Sequence, residues 1–79
     1  MRIKVLGTGC KRCQELYERT KKAVEETRAE AQIEYVKDVD EITKYTMITP
    51  ALVIDEQLKV MGKVPKVEEI KLLIERQNP

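Results

Sequence analysis

The sequence predicts an α/β fold of order β-α-β-α-β-β-α, a four-stranded mixed sheet with helices on both faces. Three observations carry this. A short apolar run opens the chain and breaks at Gly7-Thr8-Gly9; a long stretch of helical period follows; and two further apolar runs lie close together after Pro50. With 79 residues there is room for one domain, assigned to 1–79. A chain of this size buries only about 60–65% of its unfolded surface, so each apolar position matters.

Arg2 to Leu6 is the first strand, carrying Ile3, Val5 and Leu6. From Cys10 the period changes. Cys13, Leu16, Tyr17, Thr20, Ala23, Val24 and Thr27 recur at three- and four-residue spacing, giving a helix from about Lys11 to about Ala31. Ile33 to Lys37 reads as the second strand. Asp38 with Glu41 three residues on is a capping-box-like start for a short helix using Val39, Ile42 and Tyr45. Ala51 to Ile54 is continuously apolar, fit for a strand covered on both faces. Asp55-Glu56-Gln57 is a turn without the usual glycine, Leu58 to Met61 the returning strand, and Gly62 its end. The last helix carries Val67, Ile70, Leu73 and Ile74 on one face. The leading β-α-β unit should have parallel strands and a right-handed crossover.

Charge excludes several function classes. Lys and Arg number 15 against 14 Asp and Glu, a net charge of +1. The charges are interspersed, so neither nucleic acid nor an anionic membrane is an expected partner. No leader is expected at Met1–Leu6, and no run approaches the roughly 20 apolar residues that span a bilayer. The expected location is the cytoplasm, where a close cysteine pair is more often catalytic or metal-binding than a crosslink.

Cys10-Lys11-Arg12-Cys13 stands where the first strand hands over to the first helix. The first turn of a helix has unpaired N–H groups and a partial positive charge, and Lys11 and Arg12 add to it. Such settings favour thiolate over thiol. Cys10, at the helix start, is expected to be exposed and to attack a substrate disulfide. Cys13, one turn on and on the apolar stripe, is expected to be buried and to resolve the mixed disulfide, leaving a Cys10–Cys13 bond.

Two other readings bear on the same residues. As a metal carrier, the pair could hold Cu(I) or half of a Zn²⁺ site. A closed zinc site would then need carboxylates, since the chain has two Cys and no His. Copper modules of this kind end in a strand, whereas a terminal helix is expected here. As a structural pair, the cysteines would simply pack, which leaves their place at the helix entrance without a reason. A dinucleotide loop at Gly7-Thr8-Gly9 is rejected, because its third glycine would fall on Arg12; the glycines are expected to relieve the turn and let a partner approach. Tyr17, Tyr35 and Tyr45 read as core or rim residues. Met47 and Met61 read as packing, with Met47 able to add an apolar docking patch beside the site.

Taken together, Ile3-Lys4-Val5-Leu6-Gly7-Thr8-Gly9-Cys10, the Cys10–Cys13 motif, Thr49-Pro50-Ala51-Leu52 and Gly62-Lys63-Val64-Pro65 resemble thioredoxin-fold proteins. The resemblance is nearest to the small redox-active disulfide proteins (thioredoxin-like, glutaredoxin-sized) of archaea and bacteria, and it spans the chain. It implies a thiol–disulfide oxidoreductase with no cofactor beyond its own disulfide and no metal. It further implies a cis Pro50 beside the cysteines, a Thr49 backbone that pairs with an extended substrate segment, and Gly62 as a close-approach position. Gly9, Lys11 and Arg12 would complete the substrate-binding rim. Implied partners are disulfide-containing proteins and a thioredoxin-reductase-like flavoprotein as electron donor, with the protein a monomer. The chain departs from ordinary thioredoxins in three ways. Gly9 stands in place of an aromatic residue, Lys-Arg in place of Gly-Pro or Pro-Tyr, and no buried acid is identifiable to take the proton of Cys13. A narrower partner set is expected.

Overall fold

The computed structural model describes residues 1–77; residues 78 and 79, included in the predicted domain, lie outside them. The elements are β1 (Arg2–Leu6), α1 (Lys11–Thr27), β2 (Gln32–Val36), α2 (Val39–Ile42), β3 (Ala51–Ile54), β4 (Gln57–Met61) and α3 (Val67–Gln77), in the predicted order. They form one four-stranded sheet in the order β2-β1-β3-β4. β1 runs parallel to β2 and antiparallel to β3, and β3 and β4 form the hairpin.

Strand alternation divides the apolar residues between the two faces. Ile3, Val5, Leu52 and Ile54 face α1 and α3, where Leu16, Ala23, Ile70 and Ile74 complete the main core. Leu6, Ala51 and Val53 point the other way and pack with Ile42 of α2. All four residues of β3 are fully buried, as expected of a continuous apolar run in a central strand.

Four elements differ in extent from expectation, β4 by starting at Gln57, which pairs with Ile54 and so belongs to the strand and not the turn. α1 stops at Thr27, not near Ala31, because Arg28 turns left-handed (φ 56°) and donates its N–H to Glu25 O at 3.3 Å. The chain must leave the helix there, since the Gln32 N–H already pairs with Met1 O at 3.0 Å to open β2. For the same reason β2 starts one residue early, at Gln32; it ends at Val36, the last residue paired with β1, and leaves Lys37 out. α2 is a single turn. Asp38 caps it by accepting from the Asp40 N–H at 2.9 Å, while Glu41 pairs with Lys44 at 3.1 Å instead of reaching back. With one turn only Ile42 is buried, and Val39 stays exposed.

The hairpin turn manages without glycine by placing Asp55 (φ 48°) and Glu56 (φ 68°) in the left-handed region. The Asp55 carboxylate accepts from the Arg2 N–H at 2.8 Å, and Glu56 accepts from Tyr45 Oη at 2.6 Å. Both turn side chains are thereby anchored.

Candidate dithiol site

The site is built from the end of β1 upward. The Gly7 N–H donates to Val36 O at 3.0 Å, carrying the β1–β2 ladder one residue past the strand. Gly9 then adopts φ 95°, where its missing side chain matters. Cys10 follows in extended geometry as the N-cap of α1, and its carbonyl accepts the Gln14 N–H at 3.0 Å. The Gln14 side chain holds the loop by donating to Gly9 O at 3.2 Å.

Cys10 is exposed, Cys13 fully buried, and their Sγ atoms lie 2.8 Å apart in the dithiol form. The two thiols are electrostatically unlike. The hydrogen bond from Cys13, with helix N–H groups behind it, holds the Cys10 thiol below its ordinary value. Burial pushes the Cys13 thiol up, and the neighbouring Cys10 charge pushes the same way.

Of the other predicted site residues, Lys11 is exposed. Arg12 is exposed too, but its guanidinium donates to Gly62 O at 3.2 Å, so it braces the site as well as rimming it. The Gly62 N–H in turn donates to Pro50 O at 2.7 Å. This relay joins the CxxC turn to the Thr49–Pro50 segment, 38 residues further on. The Thr49–Pro50 peptide is cis, with Pro50 buried and Thr49 half-buried. Gly62 is a close-approach position: at φ 73°, an added Cβ would come within 3.0 Å of Ile48 Cγ2. Met47, Ile48 and Met61 leave apolar surface exposed on the segments flanking Pro50 and Gly62. Met47 is exposed where packing was expected, and Met61 is half-exposed with its sulfur accepting from Thr46 Oγ1 at 3.6 Å.

Two residues beside the dithiol have surroundings that sequence reasoning missed. Gly7, expected to let a partner approach, is approached by the chain itself, since a Cβ on Gly7 would overlap Cys13 Sγ and lie 2.6 Å from Cys13 Cβ. Tyr35, expected in core or rim, has a buried hydroxyl that makes no hydrogen bond among the described residues and lies near enough to the dithiol loop to feel the Gly9 N–H and the charge on both cysteines. The β1–β2 register was the usable signal: Tyr35 pairs with Val5, at the same sheet end from which the cysteines leave.

Among the described residues, no three His, Cys, Asp or Glu side chains converge as a metal cluster, and no helix is long and apolar enough to cross a membrane.

Comparison with known proteins agrees with this geometry. The family model for the thioredoxin domain matches residues 1–75. A curated protein named thioredoxin from Methanocaldococcus jannaschii is 46% identical over 69 residues, covering 87% of this chain and 80% of its own. Another, also named thioredoxin, from Methanothermobacter thermautotrophicus, is 39% identical over 75 residues, covering 94% and 97%. A strand-to-helix dithiol with one ionisable and one buried sulfur, on a chain matched over nearly its whole length, leaves one assignment: the chain belongs to the thioredoxin domain family and is a thiol–disulfide oxidoreductase.

Proposed function

We propose that the protein, acting as one domain over residues 1–79, reduces disulfides in other proteins, with Cys10 as the attacking and Cys13 as the resolving thiol. The observation that carries this reading is the unequal pair of sulfurs 2.8 Å apart, one exposed and favoured as thiolate, the other buried and held as thiol. The Cys10 thiolate attacks one sulfur of a substrate disulfide. A Cys10–substrate S–S bond forms, the substrate S–S bond breaks, and one substrate thiolate leaves and takes a proton from water. Cys13 then loses its proton to solvent and attacks Cys10 Sγ. The Cys10–Cys13 bond forms, the second substrate thiolate departs, and two electrons have passed to the substrate. An upstream dithiol donor, a thioredoxin-reductase-like flavoprotein, returns them.

Gly9, Lys11, Arg12, Thr49 and Pro50 form the substrate-binding rim. The substrate lies as an extended segment along the Thr49 backbone. Lys11 supplies positive charge at the rim, whereas Arg12 contributes chiefly through its hold on Gly62. The balanced charge and the absence of a spanning helix among the described residues support a cytoplasmic protein that works on neither nucleic acid nor membrane. It acts as a monomer and uses no cofactor or metal beyond the disulfide itself.

The test is a Cys13→Ser variant. It should accumulate a mixed disulfide through Cys10 with disulfide-bearing proteins, and the parent protein should titrate as one two-electron couple at roughly −200 to −300 mV. Alkylation of Cys10 in the parent should have its midpoint below pH 9.0, the ordinary thiol value. No trapped species and no redox couple, with tight Cu(I) retention lost on Cys→Ser substitution, would replace this reading with metal carriage.

A further inference from the structure

The resolving step poses a problem that the cysteines alone do not solve. In the dithiol form the Cys13 proton has a partner, since the Cys10 sulfur is 2.8 Å away. Once Cys10 is tied up in a mixed disulfide, that charged acceptor is gone. Cys13 must then ionise at a position with no exposed surface. A charge developing there needs hydrogen-bond donors to replace water. The backbone N–H groups of Cys10 and Thr8 favour it, but burial outweighs them.

Near the same loop lies a donor without a task. Tyr35 Oη is buried and, among the described residues, has no hydrogen-bond partner. A buried hydroxyl left unpaired is costly, and such groups are uncommon unless a function retains them. The ring is well held. It stacks on Tyr17 with centroids 5.1 Å apart and planes at 36°, and Lys37 Nζ lies over it 5.2 Å from the centroid. Tyr17 belongs to α1 one turn beyond Cys13, so the stack ties the ring to the helix that carries both thiols. Burial raises the phenol above its ordinary value, charge on Cys13 and then Cys10 raises it further, and the nearby Gly9 backbone N–H, which offers the oxygen a donor but takes no proton from it, acts least and the other way. The hydroxyl therefore stays protonated and able to donate throughout the cycle.

We propose that the Tyr35 hydroxyl donates a hydrogen bond to the Cys13 thiolate as it forms, and so speeds resolution of the mixed disulfide. Tyr35 keeps its own proton; the Cys13 proton goes to solvent and the electron balance is unchanged. This proposal rests on Cys13 being the resolving thiol. It also answers the lack, among the described residues, of a buried acid near Cys13: a neutral donor stabilises the thiolate product where an acid would have accepted its proton.

The experiment follows both steps in one mixing reaction between reduced protein and dithiobis(nitrobenzoate). The first thionitrobenzoate released reports attack by Cys10, the second reports resolution by Cys13. In Tyr35→Phe the first release should match the parent and the second should be about tenfold slower, the scale of one hydrogen bond to a charged group. Its denaturant midpoint should equal or exceed the parent's, because an unpaired buried hydroxyl has been removed. An unchanged second release overturns the proposal. So does an equal slowing of both releases, which would make the ring a mere prop for the loop, or a Tyr17→Phe variant that slows the second as much, which would take the effect away from the Tyr35 hydroxyl. Should Tyr35→Phe not fold, ortho-fluorotyrosine at position 35, a stronger donor, should speed the second release; no change overturns the proposal. Cys13→Ser must hold its second thionitrobenzoate. If it releases both, Cys13 is not the resolving thiol and the proposal falls with that reading; if it holds one while Tyr35→Phe matches the parent, only Tyr35 is dismissed.

Discussion

A methyl group at position 7 would collide with the sulfur on which resolution depends, so Gly7 is fixed by the site and not by the turn. Its neighbour Gly9 is the opposite case. Nothing lies within 4 Å of where its Cβ would be, and only its φ of 95° requires glycine. Gly7→Ala should therefore destabilise the fold by about 1–3 kcal/mol through overpacking. Urea denaturation would measure this, and a midpoint equal to the parent's would refute the close approach. Spacing on α1 was enough to separate an exposed Cys10 from a buried Cys13, because helical period reports burial directly. It could not separate the two glycines. A break in pattern marks both alike, and the Gly7–Cys13 contact exists only after the chain has turned back on itself. Tyr35 was hidden for the same reason, being 22 residues from Cys13 in sequence and joined to it only through strand pairing.

At the level of elements, the side of the sheet opposite α1 is held by less apolar surface and more polar contact. Lys4 of β1 donates to Tyr45 Oη at 3.0 Å, and Tyr45 donates to Glu56 Oε2 at 2.6 Å. Lys4 also lies 3.6 Å from Glu56. The segment after α2 is thus pinned to the β3–β4 turn and to the central strand. The Tyr45 hydroxyl, then Lys4, hold the Glu56 carboxyl below its ordinary value of 4.5. A lowered carboxylate adds stability above its unfolded value and loses it as pH falls through the folded one. Lys4, raised chiefly by its bond to Tyr45, adds stability below its unfolded value of 10.5, lost as pH rises through the folded one. Glu56→Gln should accordingly be less stable than the parent at neutral pH, with the gap closing below about pH 4.5. Chemical denaturation across that range checks it; a gap independent of pH would mean that the carboxylate charge contributes nothing. The strands and α1 were legible because periodicity over many residues outweighs local noise. The lengths of α1 and α2 were not, since Arg28 enters a left-handed cap that usually takes glycine, and a four-residue helix has too few turns to show a face.

Across the whole molecule, the strand order matters more than the strand count. β3 lies between β1 and β4, and its four residues are wholly buried, so it closes the centre of the sheet. The β-α-β start was readable from sequence, and so was the hairpin. That β3 pairs with β1, not β2, follows from the antiparallel return and from the single helical turn before it, which no local pattern encodes. A fragment of residues 1–50 keeps β1, α1 and β2 but bares Ile3, Val5 and Leu6 along an open edge. It should show little ordered structure by circular dichroism, and should regain protected amides when a 51–79 peptide is added; a fragment that folds alone would place the core in the β-α-β unit instead. The same order has a consequence for biosynthesis. Both cysteines are made well before the strand that closes their sheet, which is complete only 41 residues after Cys13, at Ile54. At ribosomal speeds this gap lasts on the order of seconds. A nascent chain therefore emerges with two thiols in like surroundings, and becomes a machine with one sharp and one guarded sulfur only once β3 has been made and paired.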